Sequence, residues 1–209
     1  MPLLGGTYEY GAVCLRNFSP SAGGGSDNGV ITWYKPTITI SPFSILNLTY
    51  STRIGLTSSK PTVSNDFVGI GLINYINDPR FYYNPPIGTA SVYACVMIIY
   101  NGATSTWQLV TKVGGDVSPV KTSFSPNPGS SLGYYKARLY LAPSGGNTSI
   151  TATVINPAGT TYTLSSTVTF SSSIYLSPAL MVYRLSGSST QIEMYTDYTV
   201  LDCAIITSR

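Results

Sequence analysis

The stretch TSITATVINPAGTTYTLSSTVTF, residues 148–170, is two alternating runs folded about one turn. Ile150, Ala152 and Val154 are separated by Thr, and Tyr162, Leu164 and Val168 follow after Asn156-Pro157-Ala158-Gly159. A side chain recurring on one face every second residue is the strand period, and an NPAG sequence closes a tight hairpin turn. The same grammar runs through the chain. β-Branched and aromatic runs bounded by Gly, Pro, Asn and Ser predict strands near 7–16, 30–40, 43–54, 66–75, 89–100, 105–113, 134–142, 148–156, 160–170, 174–184, 190–199 and 200–207. SPSAGGGSDNG (19–29), NDPRFYYNPPIG (77–88) and SPNPGSSLG (125–133) read as loops. Helix formers are scarce, and one short helical turn near 176–181 is the most the pattern allows. Strands flank every loop, so residues 1–209 are expected to be one all-β domain, a two-sheet antiparallel β-sandwich, with 1–6 as an extended arm.

Only 9% of the residues are charged, the formal net charge is +3, there are 17 Tyr and there is no His. Solubility must therefore rest on hydroxyls, amides and glycine backbone. Scattered Lys and Arg give no nucleic-acid footprint. The longest apolar runs, such as VYACVMIIY (92–100), are too short to span a bilayer as a helix. MPLLGGTYEYGAV lacks the basic-then-apolar pattern of a signal peptide. With no side chain titrating near neutrality, the composition suits a protein exposed outside a cell.

The order YYKARLYLAP (134–143), the 148–170 hairpin, SIYLSPALMVYRLSG (173–187) and QIEMYTDYTVLD (191–202) resembles the second half of concanavalin A-like, laminin-G-like jelly rolls. FVGIGLI (67–73) resembles the apolar strand of their first half. The resemblance implies a jelly-roll sandwich whose final strand pairs with the N-terminal one. The Tyr/Ser/Thr-rich, charge-poor composition resembles that of virion coat and surface proteins of thermoacidophilic archaea.

Hydrolytic chemistry finds little support. A Ser-His-Asp or Cys-His site needs an imidazole, and the chain has none. The two Asp-containing loops near 64–66 and 77–79 lack the D-T-G or D-S-G pattern of an aspartic dyad. Glu193 and Asp197 share one strand, roughly 13 Å apart at about 3.3 Å per residue, beyond the reach of a glycosidase pair. Glu9 is the one other glutamate that could join Glu193 across adjacent strands. No metal site is expected, and calcium is the only ion the loops leave open, through Asp27/Asn28 or Asn74/Asn77/Asp78.

A binding surface reads better. Trp33, with Arg80, Phe81, Tyr82 and Tyr83 of the proline-rich loop, offers aromatic faces for sugar rings or protein partners. Trp107 and a polar strip of Glu193, Tyr195 and Asp197 are expected to add to it, with Ile192, Met194, Tyr198 and Val200 turned inward. Sequons place candidate glycans at Asn17, Asn47 and Asn147. Cys14 and Cys203 sit in the first and last strands, so either a disulfide ties the ends or the three cysteines are buried thiols. The expected role is a non-catalytic structural or attachment subunit of an extracellular assembly: a virion capsid, turret or appendage protein. It would contact copies of itself or other coat proteins. A carbohydrate-binding module or lectin is the alternative, and a polysaccharide hydrolase the third.

Overall fold

The computed structural model describes residues 13–17, 29–32, 45–62, 66–75, 92–114, 118–170, 176–184 and 192–205. Among the described residues there are thirteen strands: β1 Val13–Asn17, β2 Gly29–Thr32, β3 Ile45–Leu56, β4 Phe67–Tyr75, β5 Val92–Asn101, β6 Thr106–Lys112, β7 Val120–Ser123, β8 Gly133–Ser144, β9 Asn147–Ile155, β10 Thr161–Val168, β11 Ser177–Arg184, β12 Ile192–Thr196 and β13 Thr199–Ile205. All pairings are antiparallel. One sheet runs β1-β12-β3-β8-β9-β10 with β13 also on β3, and the other runs β2-β11-β4-β5-β6-β7. The protein is thus the expected antiparallel β-sandwich, with its N-terminal strand paired to the C-terminal region. The suggested helical turn at 176–181 is strand β11 instead, because the pairing of Ser177–Tyr183 with β4 claims those backbone groups. Strand β7 was not foreseen: its four residues VKTS are all exposed, so no buried alternation marks them.

The inner faces meet in one core. Leu48, Tyr50, Ile54 and Leu56 of β3, and Tyr135, Ala137, Leu139 and Leu141 of β8, face Val68, Ile70 and Leu72 of β4 and Val96, Ile98 and Tyr100 of β5. Tyr50 Oη reaches across the layers and donates to the Ala179 carbonyl at 3.0 Å. At one end Trp107 links the sheets, edge-on to Tyr100 at 5.7 Å and tilted over Tyr135 at 4.8 Å.

The six-stranded sheet is apolar on its other face too. Phe67, Ile73, Cys95, Met97, Ile99, Val110, Ala179 and Met181 form a second buried cluster there. This explains why β5 reads as a continuous apolar run while β9 alternates: a strand buried on both faces has no polar side to show. Gly69 and Gly71 lie on that outer face of β4. A Cβ at Gly69 would land on the Ile98 carbonyl oxygen and 2.9 Å from Ile99 Cα.

The C-terminal stretch IEMYTDYTVLDC, residues 192–203, is one long strand interrupted once. Tyr195 pairs with Gly55, and Thr199 pairs with Thr52. Three residues, 196–198, therefore oppose two on β3, which is a bulge that inverts the alternation. Before it Ile192 and Met194 face the core; after it Leu201 and Cys203 do. Tyr198 and Val200 are consequently 40% and 48% exposed, opposite to the inward placement the unbroken pattern predicts. A buried hydroxyl knot fixes the bulge: Thr52 Oγ1 lies 2.8 Å from Thr196 Oγ1, 3.4 Å from Thr199 Oγ1, and donates to the Tyr198 carbonyl.

The register also corrects the disulfide. Cys14 is opposite Tyr195 on β12, eight residues from Cys203, which is roughly 26 Å at strand rise. A bridge needs Cα atoms within about 7 Å. Cys203 is a free thiol packed at the core edge, opposite Leu48. Cys95 is a free, buried thiol in the second apolar layer.

The 125–133 loop is a strap tied across one end of the core. Asn127 Oδ1 accepts from the Trp107 amide at 3.2 Å and its Nδ2 donates to the Ser105 carbonyl at 3.1 Å. Trp107 Nε1 donates to the Gly129 carbonyl, Tyr135 Oη to Ser131, and Lys60 Nζ to Ser130. These bonds satisfy polar tips whose ring bodies are buried. Among the described residues no helix is long and apolar enough to cross a membrane.

Two outcomes follow from this packing. Gly69→Ala should lower unfolding free energy by about 2 kcal/mol or more, since the clash is with backbone. Gly71→Ala, which meets mainly the flexible Met97 and Met181 side chains, should cost less in the same urea titration. Burial pushes Cys95 up to about 12, against the smaller opposing effect of Lys112, and burial pushes Tyr135 up to about 12. The folded state holds both groups neutral while the unfolded chain ionises them from about pH 9 to 10. Their contribution is fully present below pH 9 and is lost as pH climbs towards 12, measurable as a falling urea midpoint.

Candidate functional site

With both faces of β11, β4, β5 and β6 buried, the open face of the sandwich among the described residues is the outer side of the seven-stranded sheet. Its centre is β8. Inward Tyr135, Ala137 and Leu139 leave Tyr134, Lys136, Arg138 and Tyr140 pointing outward, with Lys136 and Arg138 exposed. The register lays these in rows. Tyr134 is opposite Gly55, which is opposite Tyr195. Lys136 lies between Arg53 and Ile155, Arg138 between Ser51 and Thr153, and Tyr140 between Thr49 and Thr151. Beyond β9, the exposed Thr161, Thr163, Ser165 and Thr167 extend a hydroxyl field to the sheet edge.

Arg53 organises one end. Its guanidinium lies 4.2 Å over the Tyr134 ring and 2.5 Å from Asp197 Oδ2. The β12 register makes this pair: counted on from Tyr195 opposite Gly55, Asp197 falls opposite Arg53, where both are half-buried. Cation–π and charge-assisted contacts together hold Arg53 flat on the sheet. Asp197 Oδ1 is buried and makes no hydrogen bond.

The expected strip of Glu193, Tyr195 and Asp197 does lie on this face, but it is not a contact surface. Glu193 is 8% exposed and Tyr195 2%. Their side chains are 3.5 Å apart, Oη to Oε2, and the Glu193 amide donates to the Ser59 carbonyl at 3.0 Å. Asp197 is engaged by Arg53. Trp107 is wholly buried and bound to the strap, so it too drops out of any surface. Trp33, Arg80, Phe81, Tyr82 and Tyr83 lie outside the described residues, as do Glu9, Asp27, Asn28, Asn77 and Asp78. Among the described residues no three His, Cys, Asp or Glu side chains converge as a metal site.

Of the sequons, Asn47 is half-buried on β3, and by the alternation of that strand it belongs to the outer face. Asn147 starts β9, and its Oδ1 accepts from Thr169 Oγ1 at 2.6 Å. Asn17 pairs at backbone level with Ile192. What sequence reasoning missed is the β8 face itself. The signal was present: in YYKARLY the polar and aromatic members Tyr134, Lys136, Arg138 and Tyr140 recur at every second position.

No protein-family model matches the chain, and no curated protein matches it by sequence. Solved structures share its fold. Arcelin-5, a lectin-like defense protein from Phaseolus vulgaris, superposes with TM-score 0.55 at 10% identity, over 94% of this chain and all of its own, 100%. The Emp47p carbohydrate recognition domain gives TM-score 0.51 at 13% identity, over 98% of this chain and 93% of that one. Alginate lyase vAL-1 from Chlorella virus gives TM-score 0.49 at 9% identity, over 76% and 71%. At such identities the likeness is one of fold: the chain is a concanavalin A-like jelly roll.

The Arg53 clamp yields its own test. Arg53→Met leaves Asp197 half-buried without its cation, and should lower stability by about 1–2 kcal/mol, between the values for exposed and buried pairs. The double variant Arg53→Met/Asp197→Asn should recover part of that loss in the same denaturant titration.

Proposed function

We propose that this protein is a non-catalytic carbohydrate-binding protein that takes its ligand on the outer face of the seven-stranded sheet. The observation that carries the reading is the β8 face. Two outward tyrosines lie about 20 Å apart at strand rise, with two exposed cations between them and rows of Thr and Ser on either side. Aromatic bodies accept the apolar faces of sugar rings, while hydroxyls and cations meet their polar edges. An array of that length suits a chain of several sugars better than a single terminal one. Lectins and a carbohydrate recognition domain use the same jelly roll, which supports the reading; because a fold hosts many functions, the β8 residues carry it.

Hydrolysis is disfavoured by placement. Glu193 is buried beside Tyr195, Asp197 is held by Arg53, and the two stand four residues apart along the chain. Exposure outside the cell belongs to the same proposal, supported by the low share of charged residues, 9%, and the lack of His. A self-assembling coat or attachment subunit is the second reading. What favours it is β7, a sheet-edge strand with all four residues exposed, which offers backbone for strand addition.

A glycan array probed with the purified chain should show binding that Tyr140→Ala weakens about fivefold, from roughly 1 kcal/mol for a lost aromatic contact. Particles in light scattering with an array blank throughout would favour the coat reading instead. Release of reducing or unsaturated ends from a bound polysaccharide, abolished by Glu193→Gln, would establish an enzyme.

A further inference from the structure

We propose that the glycan held by the β8 face is anionic, a polysaccharide whose carboxylates or sulfates are taken by Lys136 and Arg138. This rests on the carbohydrate-binding reading above and specifies its ligand class. The argument begins from charge placement. In an ordinary sheet, exposed cations are offset by carboxylates directly opposite or on the diagonal, because such cross-strand pairs stabilise both. Here Lys136 is flanked by Arg53 and Ile155, with Ser51, Gly55 and Thr153 on its diagonals. Arg138 is flanked by Ser51 and Thr153, with Thr49, Arg53, Thr151 and Ile155 on its diagonals. None of these is acidic.

The carboxylates that the face does hold are placed elsewhere. Asp197 is committed to Arg53, and Glu193 is buried beside Tyr195. Asp202 is opposite Thr49, one strand beyond the row of Tyr140 and away from both cations. Lys136 lies directly opposite Arg53, whose charge Asp197 already offsets, so that carboxylate is not left for Lys136. In a chain where 9% of residues are charged, two exposed cations with no acidic neighbour among the described residues, at about 7 Å spacing along one strand, are a local positive field on an otherwise hydroxylated surface.

An extended acidic glycan fits this field. Its charges recur along the chain at spacings that two side chains on one strand can meet, its ring faces pack on Tyr134 and Tyr140, and its hydroxyls meet Thr49, Ser51, Thr151 and Thr153. A nucleic acid fits less well, since phosphate binding draws on many more cations than this face provides.

The test compares one polysaccharide with and without its charge: a polyuronate and the same polymer after carboxyl reduction, titrated by calorimetry against the intact chain. The polyuronate should bind more tightly by about tenfold, and that advantage should shrink as salt is raised from about 50 to about 500 mM. Lys136→Gln/Arg138→Gln should lose about tenfold towards the polyuronate and little towards the reduced polymer. Both side chains are exposed, and an unchanged melting temperature of the double variant confirms that folding is not the cause. Equal binding of the two polymers, or an unaffected double variant, overturns the anionic assignment while leaving the carbohydrate reading in place. Binding of neither polymer, together with a blank glycan array, overturns both. Single-stranded DNA bound as tightly as the polyuronate would mark an unselective polyanion surface and overturn the proposal as well.

Discussion

The architecture depends on one constraint: each strand residue must point to one of two faces, and this sandwich has three apolar faces to fill rather than two. The inner faces of both sheets make the central core. The outer face of the six-stranded sheet makes a second apolar layer, through Phe67, Met97, Ile99, Val110 and Met181. Burial at about 25 cal/mol per Å² makes such layers the main stabilising term, and it commits the six-stranded sheet to structure on both sides. The remaining face, outside the seven-stranded sheet, is where polar residues can accumulate without penalty. The location of the candidate site is thus a consequence of packing.

Within that sheet the bulge at 196–198 decides which side chains the C-terminal region shows. One extra residue reverses the faces, so Leu201 and Cys203 pack inward while Val200 and Asp202 turn out. The Thr52–Thr196–Thr199 hydroxyl knot satisfies the polar groups that a bulge leaves inside the core. Ahead of that shift the β12 register sets Asp197 against Arg53 and so takes out of play a carboxylate that looks available in the sequence.

The functional reading follows from the face rather than from the fold. A lectin-like defense protein and the Emp47p carbohydrate recognition domain share this architecture with the chain at about 10–13% identity. Such a relation fixes where surfaces lie and leaves the chemistry to the residues on them. Here those residues are tyrosines, hydroxyls and two uncompensated cations, with buried or ion-paired carboxylates at the margin. That inventory suits holding a polar polymer better than cleaving one.

Sequence alone determined the fold class and most strand positions, because alternation and turn residues are local and each strand carries its own pattern. It made legible both the continuous apolar run of β5 and the alternation of β9, but only the structure shows that β5 is buried on both faces. It left β7 unseen, since four exposed residues on a sheet edge carry no periodic signal. Only the tertiary structure decided the rest. Whether Cys14 meets Cys203 depends on register, and the register sets them roughly 26 Å apart. Whether Tyr198 and Val200 face the core depends on a one-residue insertion that no local pattern announces. Whether Glu193, Tyr195 and Trp107 are surface or interior depends on what folds over them from distant sequence. Alternation states that two faces exist; only the packing of one sheet against another decides which of them meets water.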